Sequence, residues 1–175
     1  MKGASMTELD LLFTGLRFSR DRLQGTLDAI GREPGWSPEL LRIRGRPNGP
    51  HIGWHLAHVA SIEDLWAHDY FGMGEPRRPD LIHRFFRGSV ATEDVPPAEE
   101  LLAYLTTARQ DLLEAARRLD SLDRPCRMSD GRILAAREIL VLAPLHESIH
   151  HGRIAALYFD LIRGGSMTGM TKETR

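Results

Sequence analysis

Apolar residues recur at helical spacing in four long segments of the chain. The first, roughly residues 6–31, carries Leu9, Leu12, Phe13, Leu16, Leu23, Leu27 and Ile30, and it opens with Ser5 and Glu8 in the spacing of a capping box. The second, roughly 51–71, puts Ile52, His55, Leu56, Val59, Ile62 and Trp66 on one broad face. The third, roughly 97–120, starts with Pro and Glu and carries a stripe of Leu101, Leu105, Leu112 and Leu119. The fourth, roughly 136–163, aligns Ile139, Ala143, His146, His150, Ile154, Leu157 and Leu161. Ser37 and Pro38 read as the N-cap and first residue of a short helix. The stretch "MGEPRRPDLIHRFFRGSVATEDV" is expected to hold little regular structure, and "SLDRPCRMSDGR" reads as a loop. No run alternates with the period of a strand.

Four long helices joined by loops predict an all-α, up-and-down four-helix bundle. The long connection between the second and third helices allows one non-standard crossing. Residues 1–175 are expected to form a single domain. Residues 1–5 are set apart as an N-terminal extension, with Met6 an alternative start, and 166–175 as a flexible tail.

Composition narrows the function classes. A chain of 175 residues can bury a sizeable core. Its formal net charge of −1 gives no general attraction to nucleic acid or to an anionic membrane. No apolar run reaches the length of a membrane span, and "MKGASMTELD" lacks the apolar core of a secretion signal. Cys126 is the single cysteine, so no intramolecular disulfide forms. That fits a reducing compartment, and a cytoplasmic location is expected.

The candidate chemistry lies in the histidines. His146 and His150 stand four residues apart at the centre of the fourth apolar stripe, the spacing at which one helix offers two nitrogens to one metal ion. A pair of ordinary core imidazoles, each hydrogen-bonded, is an equally open reading of the pair alone. His151 falls off the stripe and reads as exposed or flanking. Pro144 lies inside the same helix and is expected to bend it. The second helix adds His55, near the centre of its apolar face, and His58, at the edge. A third nitrogen from there would complete a three-histidine site with open positions, and helical geometry leaves the choice between the two open.

"WHLAHVASIEDLW" followed by "HESIHHGRIAALY" resembles the DinB-like superfamily of four-helix metal-binding proteins. Relatives in that superfamily include thiol-dependent S-transferases, mycothiol-dependent maleylpyruvate isomerases and the N-terminal domain of ergothioneine-synthesis enzymes. The resemblance spans nearly the whole chain in architecture but rests on these two motifs. It implies His58 as the ligand from an H-x-A-x-x-E pattern ending at Glu63, and His146 and His150 from H-x-x-x-H. It therefore selects His58 over His55. The chain departs from the pattern at Arg153, where glutamine is frequent, and at Ala135, where a polar cap is usual. The implied cofactor is a divalent transition metal, zinc or nickel. The implied partners are a small-molecule substrate or thiol and a second copy of the chain, with no nucleic acid and no membrane. A metal-dependent transferase or hydrolase is one expected class; a non-catalytic metal- or ligand-binding module is the other.

Three further features carry rival readings. "HESIH" also matches the H-E-x-x-H of zinc proteases, with Glu147 as base, but no suitable third ligand or substrate-binding strand accompanies it. "RRPDLIHRFFRG" mixes arginines with Phe85 and Phe86, which are expected to pack on the bundle rather than on nucleic acid. Cys126 sits in a polar stretch without an activating partner. Glu63 and Glu147 are candidate proton acceptors or partners of the ligating imidazoles, and Arg153 is a candidate contact for an anionic substrate.

Overall fold

A computed structural model describes residues 5–167, and side chains as far as Asp160. The expectations for residues 1–4 and for the tail beyond 167, and the place of the Leu161 side chain, lie outside the described residues. The elements run α1 (Glu8–Arg32), α2 (Pro38–Leu41), α3 (Ile52–Leu65), α4 (Pro79–Arg84), α5 (Ala98–Arg117), β1 (Pro125–Arg127), β2 (Ile133–Ala135) and α6 (Ala136–Met167). After Leu65, α3 widens into a single π turn, Trp66–Tyr70. The fold is an all-α bundle of four long helices. Among the described residues no helix is long and apolar enough to cross a membrane.

Local chemistry explains the boundaries and corrects three expectations. The capping box of α1 is formed by Thr7 and Asp10, not by Ser5 and Glu8. Thr7 Oγ1 accepts from the Asp10 amide at 3.1 Å while the Asp10 carboxylate accepts from the Thr7 amide at 3.0 Å. The two frames have equal spacing, and aspartate closes the box as well as glutamate. The connection after α3 contains α4, with Pro79 at its start and Phe85 buried behind it. The loop around Cys126 holds a two-stranded antiparallel hairpin that pairs Cys126 with Leu134. Its strands are too short to show a period in sequence. As expected, Ser37 caps α2, accepting from the Leu40 amide at 3.2 Å. His51 caps α3 through Nδ1, which accepts from the Trp54 amide at 2.9 Å.

Helix directions follow from which residues meet. Glu8 pairs with Arg137, Ser19 with Glu147 and Thr26 with His151, so α1 and α6 run parallel. Ile52 and Leu56 share one core cluster with Leu101 and Leu105, and Ile62 and Trp66 share the other with Leu112 and Ala115, so α3 and α5 also run parallel. His55 meets His150 and His58 meets His146, so α3 and α6 are antiparallel. The order is up, down, down, up, and the long connection makes the non-alternating crossing. Asp64 pins that connection to the bundle: its carboxylate accepts from the Arg77 and Arg78 amides at 3.1 and 3.0 Å and from the Tyr104 hydroxyl at 2.7 Å. Gly53 lets the end of the connection lie against α3, since a Cβ there would stand 2.4 Å from Val95 Cγ1.

The core is divided. One apolar half contains Leu23, Leu27, Ile52, Leu56, Leu105 and Ile154; the other contains Leu16, Trp66, Leu112, Ile139 and Ala143. Between them runs a polar layer to which all four long helices contribute. Arg109 donates to Glu63 Oε1 at 2.5 Å, to Glu63 Oε2 at 3.1 Å and to Glu147 Oε2 at 2.9 Å. Arg20 donates to Glu147 Oε1 at 2.5 Å and to Glu63 Oε2 at 2.9 Å. Ser19 Oγ donates to Glu147 Oε2. Glu63 is 1% exposed and Glu147 0%, so neither charge could persist there without these partners. Burial alone would push the Glu63 carboxyl up, but the Arg109 and Arg20 guanidiniums outweigh it and hold it below the usual carboxylate range.

Removing one partner of such a layer leaves a buried charge uncompensated, at a cost of about 3–5 kcal/mol. Arg109→Met should therefore lower the unfolding free energy in urea by that amount. Arg132→Met, an exposed change, should stay within about 0.5 kcal/mol of the parent. Equal effects from the two would remove the layer as a source of stability.

Candidate metal centre

Two helices bring the histidines together. α3 supplies His55 and His58, and α6 supplies His146 and His150, at the level of the polar layer. One ring nitrogen each from His58, His146 and His150 lie within 4.8 Å of one another. His58 and His146 meet Nε2 to Nε2 at 3.0 Å. An ion 2.0–2.1 Å from each nitrogen in a tetrahedral site needs separations of about 3.3 Å, so the trio fits a metal with small side-chain adjustment.

The surroundings set the tautomer and charge of each ring. His58 is 4% exposed. Its Nδ1–H donates to the Phe85 carbonyl at 2.6 Å, which leaves the Nε2 lone pair facing His146. Trp54 stacks on the same ring, with centroids 4.6 Å apart and planes 15° from parallel, and Trp66 meets His146 edge-on at 5.8 Å. Burial lowers the pKa of all three rings: His58 moves down, with the Phe85 bond opposing; His146 falls to about 4; His150 falls to about 2. All three are therefore neutral near pH 7, the form that ligates a metal.

His55 is not brought into the trio. It is 3% exposed and stands behind His150, Nδ1 to Nδ1 at 2.9 Å. His151 is half-buried and bonds Thr26 on α1 at 2.9 Å, a packing contact. Glu63 and Glu147 are not proton acceptors for the site and do not hold its imidazoles. All four of their oxygens are occupied by Arg20, Arg109 and Ser19, which also removes Glu147 as the base of a protease. Cys126 is buried, with its thiol donating to the Tyr70 carbonyl at 3.5 Å, and burial pushes its pKa up. Phe85 packs in the core as expected, whereas the arginines near it are largely paired: Arg77 with Asp111, Arg78 with Glu100 and Arg84 with Asp94.

A cavity of about 410 Å³ opens beside His58 and His146. Its wall is mainly apolar, with Trp66, Tyr70, Phe86, Leu145 and Ile149, and its mouth carries Arg87, Asp130 and Arg132. Asp130 and Arg132 pair with each other at 2.8 Å. Arg87 is exposed and forms no ion pair among the described residues.

A profile of the DinB superfamily matches residues 16–154, from the middle of α1 into the second half of α6. The chain belongs to the DinB superfamily. No curated protein and no solved structure gives a significant match. Within this DinB-superfamily chain a second buried trio, Asp64, His68 and Asp111, also brings its ligand-type atoms together. Its carboxylates are occupied instead by Arg77, Arg78 and Tyr104, which makes it a clamp for the long connection. The sequence reading missed Arg20, Arg109 and the Phe85 carbonyl. The first two had a signal: an arginine in line with Leu16 and Leu23, and another between Leu105 and Leu112, interrupt apolar stripes opposite the two glutamates.

The lowered histidine values give a pH dependence. Between its folded value and the ordinary 6.5 each ring holds fewer protons in the folded state than in the unfolded chain, so stability rises with pH. The contribution is fully present above about pH 6.5 and is lost progressively as the pH falls toward 4 and below. Metal-free protein followed by thermal melting should lose stability from about pH 7 to about pH 5, and the His146→Gln/His150→Gln variant should lose less. Equal slopes for the two proteins would contradict this origin.

Proposed function

We propose that the chain is a metal-dependent enzyme of small-molecule chemistry, a transferase or hydrolase, whose divalent ion is held by His58, His146 and His150. The observation that carries the reading is three neutral ring nitrogens from two helices converging, with His58 and His146 lining a cavity of about 410 Å³. Such an ion, zinc or nickel by the preference of imidazole, supplies a Lewis acid with open positions for a substrate oxygen, a water or a thiol.

The chain's own residues prepare that site. The Phe85 carbonyl and the Trp54 ring fix His58, and Trp66 flanks His146. The apolar wall takes the body of a small substrate and keeps water from it, while Arg87 at the mouth can meet an anionic group. Cys126 is turned away into the core, so the nucleophile comes from outside the chain, as a low-molecular-weight thiol or a water. The runner-up is a binding module that turns nothing over. One observation favours it: both carboxylates nearest the histidines are held by arginines, so neither can take a proton from a nucleophile. A homodimer is proposed as well, supported by Val141, Leu145 and Ile149, exposed along one line of α6 where Leu145 and Ile149 also border the cavity, so that a second copy would cover its mouth. A cytoplasmic location accords with the free thiol.

Purified protein should carry one zinc or nickel per chain by elemental analysis, and the His58→Ala and His146→Ala/His150→Ala variants should lose it. Metal-loaded protein should then turn over members of a panel of electrophiles, tested with and without small thiols, and His58→Ala should abolish turnover while its circular dichroism is unchanged. Stoichiometric metal without turnover across the panel would make the binding module the better account. Equal metal in parent and variants would sink both.

A further inference from the structure

The histidine cluster separates two cavities. The second, about 420 Å³, lies on the far side of His55, between the segment leading into α3 and the later part of α6. Its lining includes Arg46, Gly49, Pro50, His55, Arg153 and Asp160. Arg46 and Arg153 are exposed, and neither guanidinium has an ion-pair or hydrogen-bond partner among the described residues. The Arg46 side chain folds over Gly49, where a Cβ would stand 2.8 Å from Arg46 Cγ, so glycine there leaves room for the arginine's course. Gly49 and Pro50 lead directly into the N-terminus of α3, whose helix dipole adds positive potential at this end. Asp160 is the one acidic group among these lining residues and is exposed at the rim.

His55 connects this cavity to the metal centre. Two neutral rings that meet Nδ1 to Nδ1 share a single proton. When His150 uses Nε2 as a ligand nitrogen, its proton must sit on Nδ1, which donates to His55 Nδ1. His55 then carries its own proton on Nε2, which has no partner among the described residues and belongs to a ring that lines the second cavity. The cavity lining thus offers one N–H donor and two guanidiniums without ion pairs, a donor set suited to an acceptor with negative charge.

We propose that the cavity behind His55 is a second ligand site for a small oxyanion, a carboxylate or phosphate group, held by Arg46, Arg153 and the His55 Nε2–H and coupled to the metal through the His55–His150 hydrogen bond. The coupling rests on the metal centre proposed above; the cavity and its donors do not. The ion favours the tautomer that offers the donor, and the anion favours the tautomer that frees His150 for the ion, so each tightens the other by the same factor. The anion is bound, not transformed.

The test uses the whole chain, metal-free and zinc-loaded, titrated with acetate and separately with inorganic phosphate while histidine ring nitrogens are followed by nuclear magnetic resonance. Saturable shifts at the His55 ring are expected, tighter with zinc than without. Acetate acting as well as phosphate identifies carboxylate as sufficient; response to phosphate alone identifies phosphate as the group. Arg46→Gln and Arg153→Gln should each weaken binding by about tenfold, the loss of one charge-assisted hydrogen bond, without altering zinc stoichiometry. His55→Leu should weaken zinc by about 10–100-fold and remove its dependence on the anion. Anion binding insensitive to both arginine changes would place the anion on the metal and overturn the proposal, as would no binding of either probe. Equal affinity with and without zinc overturns the coupling. A parent protein that fails to take up zinc in the initial titration fails the metal reading instead, and the metal-free arm still decides whether the cavity binds an anion.

Discussion

The structure depends on one buried ionic layer, Glu63 and Glu147 bound between Arg20 and Arg109. Charges in an apolar core are tolerated only when their partners are in place, and here the four come from four different helices. Few packings satisfy all of them at once. The layer therefore fixes the axial register of α1, α3, α5 and α6 more narrowly than leucine stripes alone, since apolar contacts slide more readily than paired charges. The registry has a chemical result. Glu147 lies between His146 and His150 in sequence, and Glu63 lies five residues beyond His58, so seating the glutamates on the arginines turns the histidines toward one another.

The same layer leaves an all-nitrogen site. A carboxylate free to turn toward the cluster would be a natural hard ligand or a base. With both held by guanidiniums, the groups that remain are neutral imidazoles, made neutral by burial. The Phe85 carbonyl and His55 take the outer nitrogens of His58 and His150, as hydrogen-bond partners commonly do for ligating histidines. The cluster lies between an apolar cavity lined by His58 and His146 and a cationic cavity lined by His55.

Much of this was legible in the sequence. Four segments of helical period are the four long helices, with ends within a few residues of those expected. The i, i+4 pair on α6 marked the cluster, while the choice of His58 over His55 needed the family pattern, because a wheel ranks faces and not reach. His55 is the more buried-facing residue by periodicity, and it does lie inside, but behind His150. The role of the glutamates was not legible. Near a histidine motif a glutamate reads as chemistry, and only the positions of Arg20 and Arg109 across the bundle show it to be structure. The hairpin at Cys126 escaped because three-residue strands carry no period, and the capping box was misplaced because Ser5/Glu8 and Thr7/Asp10 share one spacing.

The central claim is that the arginines hold the carboxylates away and leave a purely imidazole centre. Zinc-edge X-ray absorption on the one-to-one zinc complex tests it most directly. Three imidazole rings should appear in the multiple scattering, with nitrogens at about 2.0–2.1 Å and only light solvent oxygens beside them. A centre with a single imidazole and two carboxylates would mean that the ion goes to Asp64, His68 and Asp111 instead. One with three imidazoles and a bound glutamate would mean that the layer does not hold its carboxylates; either result contradicts the account.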